Sequence, residues 1–225
     1  MKIISYLSIT LLAITLIVGC ASSPDDEQGE INYVALGASD AVGIGAIPLS
    51  NGYVFRIRDE LRERGKNVDL LNLGIPSADV NAIKIAARSS MIAEAQKDLV
   101  TLWTGPNDLI GGDDPDDFED NLEELLSHLR EESAAFIVMM NIPDLTQIPR
   151  FRERPDDDVT PERIQAFNAA IERQAEVFNV PVVDLLAEMP GDELISNIDG
   201  FHPNNRGHER IAELFLEIIL PEFDL

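Results

Sequence analysis

Residues 33–45 read YVALGASDAVGIG, a short apolar run that passes directly into a turn of small residues containing Ser39. An uninterrupted apolar run is typical of a parallel strand that is covered on both faces. A serine that follows such a strand lies at the edge of the sheet where ligands bind. A single serine in a glycine-rich turn could equally cap a helix or belong to a phosphate-binding loop. This stretch therefore predicts the first strand of a parallel sheet and a candidate nucleophile.

The remainder of the chain repeats this pattern of strand and helix. Further apolar runs alternate with segments in which apolar residues recur at helical spacing. One predicted helix has the stripe from Phe118 to Leu129 with Asp114 as its N-cap, a second has the stripe from Ile164 to Phe178 and starts at Thr160 and Pro161, and a third spans Ala78–Gln96. Such alternation predicts one domain of class α/β, a three-layer α/β/α sandwich around a five-stranded parallel sheet. The predicted strands are Tyr33–Leu36, Val68–Leu73, Leu99–Trp103, Ala135–Asn141 and Pro181–Leu185.

The N-terminal segment differs in kind from the domain. Lys2 precedes an apolar run that ends in Gly19 and Cys20, which is the pattern of a secretory signal. This ending resembles the bacterial lipobox, in which the cysteine is lipidated and becomes the new N-terminus. We predict a lipoprotein signal peptide at 1–19, a flexible tether at 20–30 and the domain at 31–225. An uncleaved membrane helix is the alternative, although the run is barely long enough to span a bilayer, which needs about 20 apolar residues.

Composition narrows the classes of partner. The chain has 17 basic and 41 acidic residues, a formal net charge of −24, which disfavours nucleic acid and anionic lipid headgroups. Such acidity would suit a high-salt habitat, or it is simply the surface of a soluble domain. Cys20 is the only cysteine, so an intrachain disulfide and a cysteine metal cluster are excluded. We expect a monomer that contacts the membrane through lipidated Cys20 and binds no nucleic acid.

A second candidate motif lies near the C-terminus, where Asp199 and His202 precede the last predicted helix. A serine hydroxyl needs an adjacent base, and a carboxylate that binds the other ring nitrogen of an imidazole orients that base. His128 and His208 fall within predicted helices, so His202 is the better candidate. On their own, Asp199 and His202 could equally be helix-capping residues.

Four separated blocks together resemble the SGNH (GDSL-like) hydrolase family. Ser39 lies in GASD, Gly74 in NLGI, Asn107 in GPND, and Asp199 and His202 in a D-x-x-H block, over residues 33 to about 210. The resemblance implies a flavodoxin-like strand order and a serine esterase with catalytic residues Ser39, Asp199 and His202. It also implies an oxyanion hole formed by Ser39, Gly74 and Asn107, no metal or organic cofactor, and a small-molecule or glycan ester as substrate.

Ala38 departs from the family pattern, which usually has Asp before the serine. That residue carries no proton in the reaction, so the departure concerns the hydrogen bonds of the loop rather than the chemistry. A dinucleotide site is disfavoured because Pro48 occupies the third glycine position after Gly43 and Gly45. The remaining functions are a lipase- or lysophospholipase-like or short-chain esterase, a carbohydrate O-acetylesterase, and a non-catalytic ligand-binding lipoprotein.

Some other residues have two interpretations each. Asp108 either braces the Asn107 loop or faces solvent, and Trp103 either lines an acyl pocket or lies in the core. The acidic runs at 113–117 and 156–158 either bind calcium or form solvated loops. Three arginines after the fourth strand either meet an anionic substrate group or pair with residues 156–158; they are Arg150, Arg152 and Arg154.

The lipobox interpretation predicts the location of the protein. As an exported lipoprotein, it would be membrane-anchored, in the outer membrane of a Gram-negative host because Ala21 rather than Asp follows Cys20. Cys20→Ser should abolish lipidation and move the protein out of the membrane fraction, as fatty-acid labelling and fractionation would measure. A variant that is still cleaved at the same site and stays membrane-bound would contradict the interpretation.

Overall fold

The computed structural model describes residues 30–91, 98–188 and 191–225. The predicted signal peptide, Cys20 and the tether up to residue 29 lie outside the described residues and stay predictions. Within the described ranges, no helix combines the length and hydropathy needed to cross a membrane.

Five parallel strands form the sheet, in the order β2-β1-β3-β4-β5. This is the flavodoxin-like order, so the expected fold class is confirmed. Gly37 at the end of β1 pairs in register with Gly74 of β2 and Trp103 of β3. The segments that follow these strands therefore begin at one edge of the sheet. The strands are β1 (Glu30–Gly37), β2 (Asn67–Gly74), β3 (Leu99–Trp103), β4 (Phe136–Met140) and β5 (Val182–Val183).

Helices cover both faces of the sheet. In β1, Val34 and Leu36 enter the apolar cluster formed with α3, α5 and α7, whereas Tyr33 and Ala35 enter the cluster formed with α2 and α9. Because side chains alternate along a strand, the uninterrupted apolar run is required to fill both clusters. The helices are α1 (Ser39–Val42), α2 (Tyr53–Glu63), α3 (Val80–Met91), α4 (Pro106–Ile110), α5 (Pro115–Glu132), α6 (Pro149–Glu153), α7 (Pro161–Phe178), α8 (Leu185–Glu188) and α9 (Asn205–Glu222).

The predicted fifth strand was too long. Only Val182–Val183 pair with β4, and the chain turns into α8 at Leu185. The cause is Asn141, whose side-chain oxygen accepts hydrogen bonds from the backbone N–H groups of Leu185 at 2.6 Å and Leu186 at 3.1 Å. These bonds satisfy the first N–H groups of α8 and favour the helix over a longer strand.

The predicted helix starts are correct in two cases. Asp114 accepts a hydrogen bond from the backbone N–H of Asp116 at the start of α5, and Thr160 accepts one from Arg163 at the start of α7. Both helices have proline in the first turn, where its missing N–H costs nothing. For the segment predicted as a helix over Ala78–Gln96, the structure describes α3 as Val80–Met91, and residues 92–97 lie outside the described part.

A buried histidine joins α9 to the segment after β1. The ring of His208 is fully buried; Nδ1 accepts a hydrogen bond from the N–H of Tyr53 at 3.3 Å, and Nε2 lies 3.0 Å from the carbonyl oxygen of Ile44. These partners require a neutral ring that is protonated on Nε2. Burial lowers the pKa of His208 to about 4.

His208 predicts an acid-sensitive fold. Its folded-state pKa lies below the unfolded value, so its contribution is complete above pH 6.5 and is lost as the pH falls through about 4. The loss should be about 2–3 kcal/mol of unfolding free energy. Urea unfolding of wild type and His208→Gln at pH 7.5 and 4 measures it. The variant should be less stable at pH 7.5 yet lose less on acidification, and an equal loss in both proteins would contradict the assignment.

Candidate active site

Ser39 is placed by the end of β1. The strand ends at Gly37, and α1 begins at Ser39, which is 7% exposed. A Cβ atom on Gly37 would lie 3.0 Å from Ala41 Cβ and 3.2 Å from the carbonyl oxygen of Trp103, so the turn leaves little room for a side chain. The tight turn brings the serine hydroxyl to the carboxyl edge of the sheet between β2 and β3.

The structure joins Ser39 to the D-x-x-H block. Ser39 Oγ lies 2.8 Å from His202 Nε2, and His202 Nδ1 lies 2.7 Å from Asp199 Oδ2. In this arrangement Nδ1 carries a proton toward the carboxylate, and Nε2 has a free electron pair toward the hydroxyl. The imidazole can therefore take the proton of Ser39, although the two residues lie 163 positions apart.

The surroundings of Asp199 favour its ionised form. Its Oδ1 accepts hydrogen bonds from the backbone N–H groups of Phe201 at 2.9 Å and His202 at 3.1 Å. Partial burial raises the pKa of Asp199, but these bonds and the contact with the His202 ring outweigh burial and hold it below its ordinary value. Asp199 is thus a carboxylate at neutral pH and can stabilise a protonated His202.

The loop that carries His202 is held from two sides. The N–H of Ser196 donates to the carbonyl oxygen of His202 at 2.8 Å, and the N–H of Arg150 donates to that of Gly200 at 2.8 Å. On the opposite side lies Gly45, with φ 95°, where a Cβ would come within 2.8 Å of His202 Cβ and 2.2 Å of the carbonyl oxygen of Pro203. The loop after α1 thus packs directly on the histidine.

Asn107 follows β3 in α4 and lies beside the turn between β2 and α3. Its side-chain Nδ2 donates to the carbonyl oxygen of Ala78 at 2.9 Å. An amide nitrogen has two hydrogens, so a second one can donate to a ligand. The bond to Ala78 fixes the orientation of the amide at the same edge of the sheet as Ser39.

Gly74 has a structural role that the sequence did not show. Its N–H donates to the side-chain oxygen of Asn72 at 2.9 Å, and the Asn72 side-chain nitrogen donates to the carbonyl oxygen of Ala41 at 2.7 Å. A Cβ on Gly74 would lie 2.8 Å from Val42 N, so the glycine allows β2 to approach α1. The predicted oxyanion donor is therefore engaged in a hydrogen bond within its own turn. The next turn contains Ser77 with φ 63°, an uncommon conformation for a residue with a side chain.

Comparison with known proteins identifies the family to which this chain belongs. The model of the GDSL-like lipase/acylhydrolase family matches residues 35–210, which include every block of the predicted site. The chain belongs to this family.

Individual relatives agree with this membership. Esterase TesA of Pseudomonas aeruginosa is 26% identical over 183 residues, which cover 80% of this chain and 83% of that protein. The lipase/acylhydrolase of Enterococcus faecalis has a similar fold, with TM-score 0.71, 22% identity, and coverage of 85% of this chain and 96% of that one. The acetyl xylan esterase AlAXEase has TM-score 0.67 and 19% identity, covering 84% and 100%. The chain is accordingly a hydrolase of an esterase family.

Asp108 braces the Asn107 segment of this GDSL-like hydrolase, as one of its two interpretations predicts. Its side chain is 1% exposed, and Oδ1 accepts a hydrogen bond from the N–H of Val80 at 2.8 Å. Burial raises the pKa of Asp108 to about 6. The carboxyl group thereby ties α4, which carries Asn107, to the start of α3.

Asp40 is a site residue that was missed. It directly follows Ser39, and burial raises the pKa of Asp40 to about 6, against the opposing attraction of His202. The available signal was an acidic residue in a turn otherwise made of small and apolar residues. Asp40 is thus a carboxyl group beside the candidate nucleophile that is neutral at mildly acidic pH and ionised above it.

A narrow cavity of about 30 Å³ is lined by Asp40, which follows Ser39 in the chain, and by Phe201 and Pro203, which flank His202. That volume is room for about two water molecules or a short alkyl group. Trp103 borders this cavity and is buried in the core, which confirms the core interpretation of this residue. Apart from Asp40, the lining is mainly apolar and includes Trp103, Leu145, Ile148, Leu185, Ile195 and Phe201.

Among the described residues, the acidic runs do not form ion pairs with Arg150, Arg152 or Arg154. Asp114 and Asp156 accept hydrogen bonds from nearby backbone N–H groups, and among the described residues no group of three His, Cys, Asp or Glu could hold a metal ion. Arg152 pairs with Asp192 at 2.5 Å rather than with residues 156–158. The pairing interpretation of the three arginines is therefore wrong for Arg152, and Arg150 and Arg154 have no carboxylate partner in the described ranges.

Proposed function

We propose that this hydrolase is a serine esterase that cleaves a carboxylic ester through an acyl-enzyme on Ser39. The observation that carries the proposal is the continuous hydrogen-bonded chain from Ser39 through His202 to Asp199. A non-catalytic ligand-binding protein would not need this ordered arrangement, in which each member has the partner that its role requires.

The proposed reaction begins when Ser39 Oγ attacks the ester carbonyl carbon while His202 Nε2 takes the hydroxyl proton. Asp199 keeps the other ring nitrogen protonated and stabilises the imidazolium that forms. Collapse of the tetrahedral intermediate expels the alcohol, to which His202 returns the proton. Water then attacks the acyl-enzyme with His202 again as base, which releases the acid and restores Ser39.

The proposed oxyanion hole combines the Ser39 N–H, the free amide hydrogen of Asn107 and a backbone N–H of the turn after β2. Gly74 can supply the third donor only if Asn72 releases it. No hydrogen bond occupies the Ser77 N–H among the described residues, and Ala78 beside it is bound by Asn107. The third donor is therefore a backbone N–H of the turn from 74 to 77, either that of Gly74 or that of Ser77.

The small cavity favours a short acyl group. A space of about 30 Å³ accommodates an acetyl or propionyl group better than a fatty acyl chain. This observation favours a short-chain esterase over a lipase or lysophospholipase. It also supports a second candidate function, removal of O-acetyl groups from envelope or plant polysaccharide. We propose that the enzyme acts as a monomer outside the cytoplasm, anchored through Cys20.

Asn107→Ala tests the oxyanion hole. Its amide should bind the negative oxygen of the intermediate more strongly than the substrate carbonyl, so kcat should fall about 10²- to 10³-fold while KM changes little. Steady-state kinetics on 4-nitrophenyl acetate give both constants, and circular dichroism checks the fold. A normal kcat with a raised KM would make Asn107 a substrate-binding residue instead.

Ser39→Ala tests the nucleophile. The variant should lose at least about 10⁴-fold in turnover, and Ser39→Ala/His202→Ala should be scarcely worse, because members of one catalytic unit do not add. Asp199→Ala should be milder because His202 can still accept a proton. Esterase rates and fluorophosphonate labelling measure these effects, with Ser127→Ala on α5 as the control. Substantial activity in folded Ser39→Ala would exclude Ser39 as nucleophile.

A further inference from the structure

Arg150 lies beside the loop that carries the candidate base. Its guanidinium carbon is 5.3 Å from the ring centre of Phe151 and 5.8 Å from that of Phe201. The Phe201 ring lies in turn 4.8 Å from the imidazole of His202. The Phe201 ring therefore contacts both the cation and the imidazole.

The position of the guanidinium is restrained on several sides. The two phenylalanine rings meet edge to face at 6.0 Å and 86°, and the backbone N–H of Arg150 donates to the carbonyl oxygen of Gly200 at 2.8 Å. An arginine over aromatic faces is held by attraction to their π electrons, which orders a side chain that would otherwise be mobile. Arg150 is nonetheless exposed to solvent, so its donors are accessible.

Charge pairing does not account for this residue. The chain carries a formal net charge of −24, and two nearby arginines have acidic partners: Arg152 binds Asp192 at 2.5 Å, and Arg163 lies 3.9 Å from Asp158. Among the described residues, Arg150 has neither a carboxylate partner nor a side-chain hydrogen bond. The five N–H donors of a guanidinium thus remain available beside the site.

We propose that Arg150 forms an anion subsite, which binds a carboxylate or phosphate group carried by the ester substrate. This inference rests on the proposed esterase function and specifies its substrate class. The planar guanidinium matches both anions with two parallel hydrogen bonds. Because the field of so acidic a protein repels anionic substrates, a local cation is what allows them to bind.

The subsite serves the alcohol side of the ester. The cavity proposed for the acyl group has a mainly apolar lining that does not include Arg150, so a charge on the acyl group would be buried there without a cationic partner. The anion therefore belongs to the alcohol, as in an acetylated uronate, whose charge is a carboxylate, or an ester of a phosphorylated alcohol. Both share the chemistry of a planar or tetrahedral oxyanion a few atoms from the scissile bond.

A purely structural role is the competing explanation, in which the aliphatic stem of Arg150 only supports Phe201 and the His202 loop. Three substitutions separate the two roles. Arg150→Met keeps an apolar stem without charge, and Arg150→Lys keeps charge without the planar fork. Arg154→Met is the matched control, because Arg154 is also exposed and also lacks a carboxylate partner in the described residues.

The kinetic test compares three acetyl esters that differ in one group: methyl 4-acetoxybenzoate, 4-acetoxybenzoate and 4-acetoxyphenyl phosphate. Arg150→Met should lower kcat/KM about tenfold for the two charged esters and less than twofold for the neutral one. Arg150→Lys should retain most activity on the charged esters, and Arg154→Met should match wild type on all three. The ester with the larger loss identifies the preferred anion, carboxylate or phosphate.

Two results would overturn the subsite. One is an equal loss on all three esters in Arg150→Met, which indicates support of the loop, and the other is no loss on any. A binding measurement does not depend on turnover: phenyl phosphate should bind the Ser39→Ala protein by calorimetry and bind Ser39→Ala/Arg150→Met at least fivefold more weakly. Equal binding or no binding would reject the subsite. Failure of wild type to hydrolyse the neutral ester would instead reject the proposed esterase function.

Discussion

The hydrogen bond between Ser39 and His202 is the contact on which the site depends, because it joins the first strand to the last loop of the chain. Neither residue can reach the other through local structure, so the whole sheet sets the distance. The carboxyl ends of β1, β2 and β3 are aligned in register, which fixes where Ser39 leaves the sheet. The hydrogen bonds of Ser196 and Arg150 to the final loop fix where His202 returns to it. A small shift of either segment would lengthen a 2.8 Å contact beyond hydrogen-bonding distance.

The strand order and the site were largely predictable, whereas the roles of single residues were less so. Continuous apolar runs predict the five strands because both faces of a parallel sheet are buried, and the four blocks predict which strand ends carry polar groups. β5 was overestimated because its ending is decided by a side chain of β4's next residue, Asn141, which no local pattern reveals. Gly74 was predicted as an oxyanion donor, but the partner of its N–H is the side chain of Asn72, which is visible only in three dimensions.

Two carboxyl groups close to one histidine have opposite environments. Asp199 receives two backbone hydrogen bonds and keeps its pKa low, whereas burial of Asp40 raises its pKa to about 6. The sequence alone gives no reason for this difference between Asp40 and Asp199, since each lies within three residues of a predicted site residue. The environment separates them: donors aimed at one carboxylate stabilise its charge, and the loss of water around the other disfavours it. The site thus has one permanent negative charge that orients the base and one that depends on pH.

The net negative charge of the molecule explains why an unpaired arginine near the site matters for substrate binding. An excess of 24 negative charges sets a field that weakens with salt and with distance, so it acts on approach rather than on a bound substrate. Arg150, which contacts the same Phe201 ring as His202, acts at short range and opposes that field locally. Most of the other basic side chains that the structure describes lie within ion-pair distance of a carboxylate. The acidic surface repels any negative charge on the substrate, and only a charge that reaches Arg150 gains hydrogen bonds that compensate for this repulsion. The combination therefore favours substrates that are anionic at one defined position.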